Sequence, residues 1–529
     1  MPPSARTLPM GDLKNRQILM LMLLAFLVSL VPLTLVSMPP IADLPNHLAR
    51  IHILRTAGAD PVLNQYYVVA WGILPNLVMD WLLVALDWIP LMAAGSFSVA
   101  LTFLLILTGV LLLQHTLLGR LSVIALFAVL LLYNRMLLWG MVNYLMGVGV
   151  LLIAFALWVR MRDDAPTKRI VVSSLMALAV FFCHLFPFGI YALSVGAFEL
   201  QSLLKKENRN FKTWRHTIFI GGVQFILPVI AFIFLSPTSG YAQTRLAFGD
   251  FSRKLVTVPF MTFNNYNLLL DLASLALVSA LVGFLLLRSI IKIRQEMWGV
   301  IGLLSAVHFL MPQYLMSSPG ADLRTFFPLL FIAIAAVELK KGSKMAINIA
   351  IGVFGLLFVG RTLVVADHWQ RADTEILPEY RELIASLPVG ARVGTYFYLS
   401  DNKWFVDPPH QHYVTLAIVE KSAFVPSLFA HPGQQPVHYT PSAQKTAVIA
   451  PSIMVSPSLQ QQDVPASSKT SNFWFCRFEN IDFLMLSNAP KKSLDLPEFL
   501  VPTLQRKHVS LFRVARPLLA EYDLATCPD

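Results

Sequence analysis

Charge is scarce in this chain. Asp, Glu, Lys and Arg make up 13% of its 529 residues, against 56% hydrophobic, about half the charged share of an ordinary soluble domain. That excludes a soluble globular protein and points to a polytopic membrane protein. Cysteine is scarcer still, and Cys183, Cys476 and Cys527 show no metal-binding or redox spacing. Cys476 and Cys527 lie in the tail and can pair if it faces an oxidising compartment. A Walker loop, a GxGxxG turn, a zinc spacing, a serine-hydrolase elbow and an RNA-binding surface are all missing, which removes the usual nucleotide-, zinc- and nucleophile-based chemistries. No repeat at solenoid spacing is present.

What the sequence has instead is long apolar runs. Residues 18–36, ILMLMLLAFLVSLVPLTLV, hold 19 positions without a charge, close to the roughly 20 that cross a bilayer core of about 30 Å. Lys14 and Arg16 precede the run, so the positive-inside rule keeps the N-terminus cytoplasmic. A cleaved signal peptide fits poorly, because the run is too long and no clear cleavage site follows. The net charge of +11 is uneven: residues 365–529 carry 14 Lys/Arg and 16 Asp/Glu, leaving 27 and 14 for the remainder. The basic excess therefore follows membrane topology, and no nucleic-acid partner is expected.

Further apolar stretches lie at 72–90, 93–114, 121–133, 140–159, 170–200, 217–236, 267–287, 297–312, 326–338 and 346–364, giving about 10–11 membrane segments. Basic clusters at Arg160 to Arg169, Lys205 to Arg215, Arg288 to Arg294 and Lys340 to Lys344 mark the cytoplasmic side. The division expected is a cytoplasmic N-terminus (1–16), a polytopic membrane domain (17–364) with a first extracytoplasmic loop at 38–71, and an extracytoplasmic α/β or α+β domain (365–529). The stretch 170–200 begins and ends beside basic clusters, so it reads as a hairpin broken near CHLFPFG by Pro187 and Gly189. Parity leaves a puzzle: five apolar stretches precede Arg160, where an even number of crossings is required. One of the five must be re-entrant or lie along the surface.

Polar groups collect at the predicted outer mouth. In PPIADLPNHLARIHIL, residues 39–54, Pro39 and Pro40 break the first span, Asp43 can cap a helix, and apolar residues at helical spacing predict a short amphipathic helix on the outer face. Asp43, His47 and Arg50 fall at i, i+4 and i+7 and share a side. An acid, an imidazole and a guanidinium suit an anionic phosphate substrate with a base beside it; the alternative is a capped helix with a solvated polar face. Asp80, Asn134, Arg135, Asn143, His184, His308 and Arg324 lie in or near spans, where ionisable groups are costly and mark functional positions. Arg324, behind a Pro-Gly turn, can grip a lipid-linked phosphate or anchor at the headgroups. His410 and His412, in DPPHQHY, are a metal-ligand type of pair, but their i, i+2 spacing beside two prolines favours a surface loop.

These features together resemble the glycosyltransferase C superfamily, polytopic enzymes that use polyprenyl-phosphate sugars. The likeness rests on PPIADLPNHLAR after the first span, LPNLVMDWLLVAL after the loop, the CHLFPFG hairpin, the GADLRTFFPLL lip and the soluble C-terminal domain. It covers most of residues 15–364. The resemblance implies a sugar transferred from a polyprenyl-phosphate donor to an extracytoplasmic acceptor, in a bacterial inner membrane, with Asp43 as base. Substrate-binding positions would be His47, Arg50, His184, Arg324, Asp80 and Asn143. The family's first-loop acid also serves in metal binding, but its frequent second adjacent acid is absent here, where Ala42 and Leu44 flank Asp43. A divalent metal is thus left open. The alternative class is a non-enzymatic transporter or lipid flippase, which should carry polar groups at several depths.

Overall fold

Helix α1, Asn15–Ser29, opens the membrane part, and a short turn carries it to Thr34. The structure is a computed structural model, and it describes residues 14–205, 210–239, 246–315, 318–340, 344–398, 408–450, 452–455, 475–489 and 496–520. Whether Cys476 and Cys527 pair falls outside the described residues, which do not include Cys527. Helices α2 (Leu44–Arg55), α3 (Val78–Ala85), α4 (Leu91–Leu118), α5 (Val142–Arg160), α6 (Pro166–Cys183), α7 (Leu185–Leu203), α8 (Phe211–Ile230), α9 (Leu268–Leu287), α10 (Trp298–Leu310), α11 (Ala321–Ala336) and α12 (Lys344–Arg371) follow. Among the described residues, α1, α4, α5, α6, α8, α9 and α12 lie in stretches long and apolar enough to cross a bilayer. The chain is an integral membrane protein.

The parity puzzle has a structural answer. The backbone N–H of Leu121 donates to Asn15 Oδ1 at the start of α1, while Ala42 and Asp43, beyond its far end, donate to the carbonyls of Leu138 and Trp139. Residues 121–139 therefore run from one level to the other, although no long α-helix lies in them. They do so as a 3-10 helix, Val123–Leu131, whose rise of about 2.0 Å per residue covers more depth than an α-helix, followed by the five-residue helix Arg135–Trp139. The segment that stays on one side is 72–90. Only α3 is helical there, and Asn76 and Leu77 donate to Phe182 O at the Asp43-side end of α6. Hydropathy misreads this stretch because Leu74, Leu77, Met79 and Leu83 are buried against protein, although Trp81 and Trp88 stay exposed.

The expected hairpin at 170–200 is present, but the break is at His184, whose extended backbone (φ −173°, ψ 142°) separates α6 from α7. Pro187 sits in the first turn of α7, where its missing N–H costs nothing. Gly189 lies within α7, so each arm is longer than the sequence reading allowed.

At the end opposite Asp43, Arg162 and Arg169 pair with Glu199, Gln201 bridges to Gln295 and Gly299, and residues 291–293 pair with 337–339. Arg162 and Arg169, Lys205, Arg294 and Lys340, described members of the four basic clusters, lie at this level. The tail carries a mixed sheet. With β1 as Tyr67–Val69, β2 as Val393–Tyr398, β3 as Val437–Tyr439, β4 as Ser452–Val455, β5 as Phe483–Ser487, β6 as Leu500–Gln505 and β7 as Val509–Val514, its order is β6-β7-β5-β2-β4. β2 runs parallel to β4 and β5, and β7 antiparallel to β5 and β6. The apolar helical stretch that contains α12 runs from Met345 to Ala385 and carries the chain from membrane to tail across position 365. The first outer loop is welded to the tail: β1 pairs antiparallel with β3, Tyr67 opposite Tyr439.

Candidate functional site

The Asp43 site is built by a capped turn meeting a bent loop. Asn134 Oδ1 accepts the N–H groups of Met136 and Leu137, starting the Arg135–Trp139 helix, which ends at Gly140 in a left-handed conformation (φ 101°). A Cβ on Gly140 would lie 2.6 Å from the Asp43 Cβ and 2.9 Å from its backbone nitrogen. Only glycine lets the two backbones approach this closely. The N–H groups of Ala42 and Asp43 then donate to Leu138 O at 3.0 Å and Trp139 O at 3.1 Å.

Asp43 takes the N-cap position of α2, yet its side chain makes no capping hydrogen bond. From residue 38 to residue 51 every other residue is buried, and Asp43 is the one left partly open. The capped, solvated helix is thus not what forms. Nor does α2 lie on the surface: it is packed between α3, α4 and the tail.

His412 and Arg324 approach the Asp43 carboxylate, Tyr144 and His184 stand around Arg324, and His47 lies beside Gly140 and His412. His412, from the tail, places Nε2 3.4 Å from Asp43 Oδ1. Arg324, in the first turn of α11, is close enough for its charge to act on Asp43. It is buried; one nitrogen donates to Ser318 Oγ and another to Met141 Sδ at 3.7 Å, Nε has no partner, and the guanidinium lies 5.1 Å from the Phe186 ring centroid. Tyr144 OH donates to Arg324 O at 2.9 Å and fixes that turn. His184 stands edge-on to Tyr144 and caps α7, its Nδ1 accepting the Phe186 N–H at 3.1 Å. His47 is buried edge-on against Phe429, and that burial, with Arg50 nearby, pushes its imidazole down to about 3, so it stays neutral at physiological pH.

Three of the sequence-selected residues have partners away from this cluster. Arg50, fully buried, donates from Nε to Asp80 Oδ1 at 2.9 Å. Asn143 accepts the Met79 N–H and donates to Asn76 O. Together with Arg55, which donates to the carbonyls of Leu83, Leu86 and Ile89, they hold the 76–90 strap in place. His410 and His412, expected in a surface loop, are both buried. His412 is the site member that the sequence reading passed over; its signal was an imidazole beside aromatic residues in a proline-bounded stretch, which composition alone assigns to a loop. Among the described residues no group of three or more His, Cys, Asp or Glu side chains is placed to hold a metal ion. Asp43 with His412 does not by itself make up a metal site.

No protein-family model matches the chain, and no curated protein sequence does. Among solved structures, the chain is similar to ArnT from Cupriavidus metallidurans bound to undecaprenyl phosphate, at 12% identity and a TM-score of 0.49, over 95% of this chain and 99% of that one. The apo state of the same protein gives 12% and 0.47, over 95% and 98%. The arabinofuranosyltransferase AftD from mycobacteria gives 13% and 0.49, over 96% of this chain and 40% of that one.

Proposed function

We propose that the chain is a membrane glycosyltransferase that moves a sugar from a polyprenyl-phosphate donor to an acceptor outside the cytoplasm. The observation that carries this reading is Asp43, the one open residue in an otherwise buried run, with His412 Nε2 3.4 Å from its carboxylate and the charge of Arg324 acting on it. In the reaction, the acceptor hydroxyl gives its proton to the Asp43 carboxylate as its oxygen forms the new bond to the anomeric carbon. The bond from that carbon to phosphate breaks, and polyprenyl phosphate leaves with the electron pair, its charge met by Arg324. His184 and Tyr144 wall the site. Arg50, Asp80 and Asn143 act from behind, by holding the strap. The donor class is the one implied by the family resemblance, as is the bacterial inner membrane. Placing the tail outside the cytoplasm rests on the four basic clusters lying at the opposite end.

A flippase or transporter would need polar groups along a path. The buried charges at the far end are instead closed upon one another, Arg169 and Arg162 on Glu199, which favours the enzyme. The test is transfer of a labelled sugar from a panel of polyprenyl-phosphate donors, with the purified protein in lipid and Asp43→Asn beside it. Transfer by the wild type and its loss in the variant are expected. Equal transfer by both overturns the role of Asp43; no transfer by the wild type from any donor, with lipid flipping in its place, overturns the enzyme.

A further inference from the structure

His412 belongs to the tail, yet its ring is buried in the lip of the membrane part. Nδ1 lies 3.3 Å from Asn46 Nδ2 and Nε2 lies 3.4 Å from Asp43 Oδ1. The orientation of the Asn46 amide is fixed by its other partners: Oδ1 accepts the Phe429 N–H at 2.7 Å, and Nδ2 donates to Ser427 O at 2.9 Å. An amide nitrogen only donates, so Nδ1 is the acceptor of the ring, and neutral His412 carries its proton on Nε2, facing the carboxylate. A neutral imidazole has one N–H, and a carboxylate is the strongest acceptor near it. The Gln411 amide nitrogen, 3.5 Å from Nε2, is therefore a neighbour and not a donor. At 3.4 Å the contact with Asp43 is longer than a formed hydrogen bond, a looseness common before substrate binds.

We infer that His412 is a positioning residue for Asp43, held in its Nε2–H tautomer by Asn46, so that docking of the tail domain completes the membrane site. Asn46 does two things with one amide: it sets the imidazole proton, and it binds the 427–429 backbone of the tail. A domain that undocks takes the imidazole with it and leaves Asp43 without its orienting donor. The groups that face His412 are Asp43, Asn46, Gln411, neutral His47 and the Phe429 ring, 5.2 Å away edge-on. None of them offers Nε2 a competing anion.

This inference rests on the glycosyltransferase reading, and the experiment separates the two. Sugar transfer is measured for the wild type, His412→Gln and His412→Phe, with kcat, KM and melting temperature for each. In His412→Phe, kcat falls about 100-fold at unchanged KM, the size of a lost orienting or proton-transfer group. His412→Gln, whose amide N–H reaches the position of Nε2, keeps kcat within about tenfold of the wild type. Should His412→Phe fail to fold, His412→Asn replaces it, because its amide meets Asn46 but is too short to reach Asp43. Wild-type kcat in the Phe or Asn variant, or an equal fall in Gln and Phe, overturns the inference. If the wild type transfers no sugar, only the function has failed. The melting temperatures of Asp43→Asn, His412→Asn and the double variant then decide: non-additive changes uphold the link, and additive changes overturn it.

Discussion

Two buried polar clusters lie at opposite ends of the membrane part, and they are built differently. At the far end Glu199 has both oxygens occupied: Oε1 accepts from Trp158 Nε1 at 3.0 Å and from Arg169 at 2.9 Å, and Oε2 accepts from Arg162 at 3.2 Å. Arg169 also lies 3.6 Å over the Trp158 ring. This knot is closed and ties α5, α6 and α7 together. At the Asp43 end the carboxylate makes no cap bond, its imidazole neighbour stands at 3.4 Å, and Arg324 finds a hydroxyl and a thioether rather than an acid. Charges left without full partners in a buried setting are costly. The far end still leaves Arg169 Nε without a hydrogen-bond partner, but it is sealed inside the knot; at the Asp43 end a substrate can supply what is missing.

If that contrast is right, the two ends respond differently to mutation. The largest effect belongs to Asp43→Asn: transfer falls about 1,000-fold while the protein still folds, measured with labelled donor in lipid. Glu199→Gln should do the reverse. Breaking this buried pair destabilises by about 3 kcal/mol, read from thermal unfolding in detergent, while transfer per folded molecule stays at the wild-type level. A loss of transfer without a loss of stability would erase the distinction between the ends.

Gly140→Ala acts on both properties. The added Cβ cannot be placed without shifting Asp43, and the left-handed backbone penalises alanine. About 100-fold in transfer is expected, the cost of roughly 1 Å of misplacement, together with about 1 kcal/mol of stability.

The smallest effect concerns His410, in the tail. Its ring nitrogens have no partner, and burial, with His508 beside it, pushes it down to about 3. Its folded pKa is below the unfolded value, so the unfolded chain binds the extra proton first. The stability contributed by keeping it neutral is full above pH 6.5 and is lost as pH falls toward 3. His410→Leu should remove about 1–2 kcal/mol of the acid sensitivity between pH 7 and pH 5, seen as a flatter melting temperature against pH.

The hairpin within 170–200, though not its break at His184, and the common level of the basic clusters were legible because each depends on residues near one another in the chain. The strap at 72–90 was not. It reads as an apolar stretch, and only its partners, the arginines of α2, Asn143 and Phe182 O, show that it is held against protein. For the crossing at 121–139 the sequence showed an apolar stretch at 121–133, with nothing to tell it from the strap as the segment that fails to cross, since sequence does not announce a 3-10 helix. His412 was hidden more deeply: its partner Asn46 lies 366 residues away.

By itself, then, the sequence determined that the chain enters a membrane repeatedly, where the charges can gather, and which acid stands at the mouth, because burial cost and bilayer thickness act on short segments one at a time. The tertiary structure decided what that acid faces. A carboxylate has no chemistry of its own until its neighbours are chosen, and those neighbours come from a second helix lip and a distant domain that only packing brings within reach.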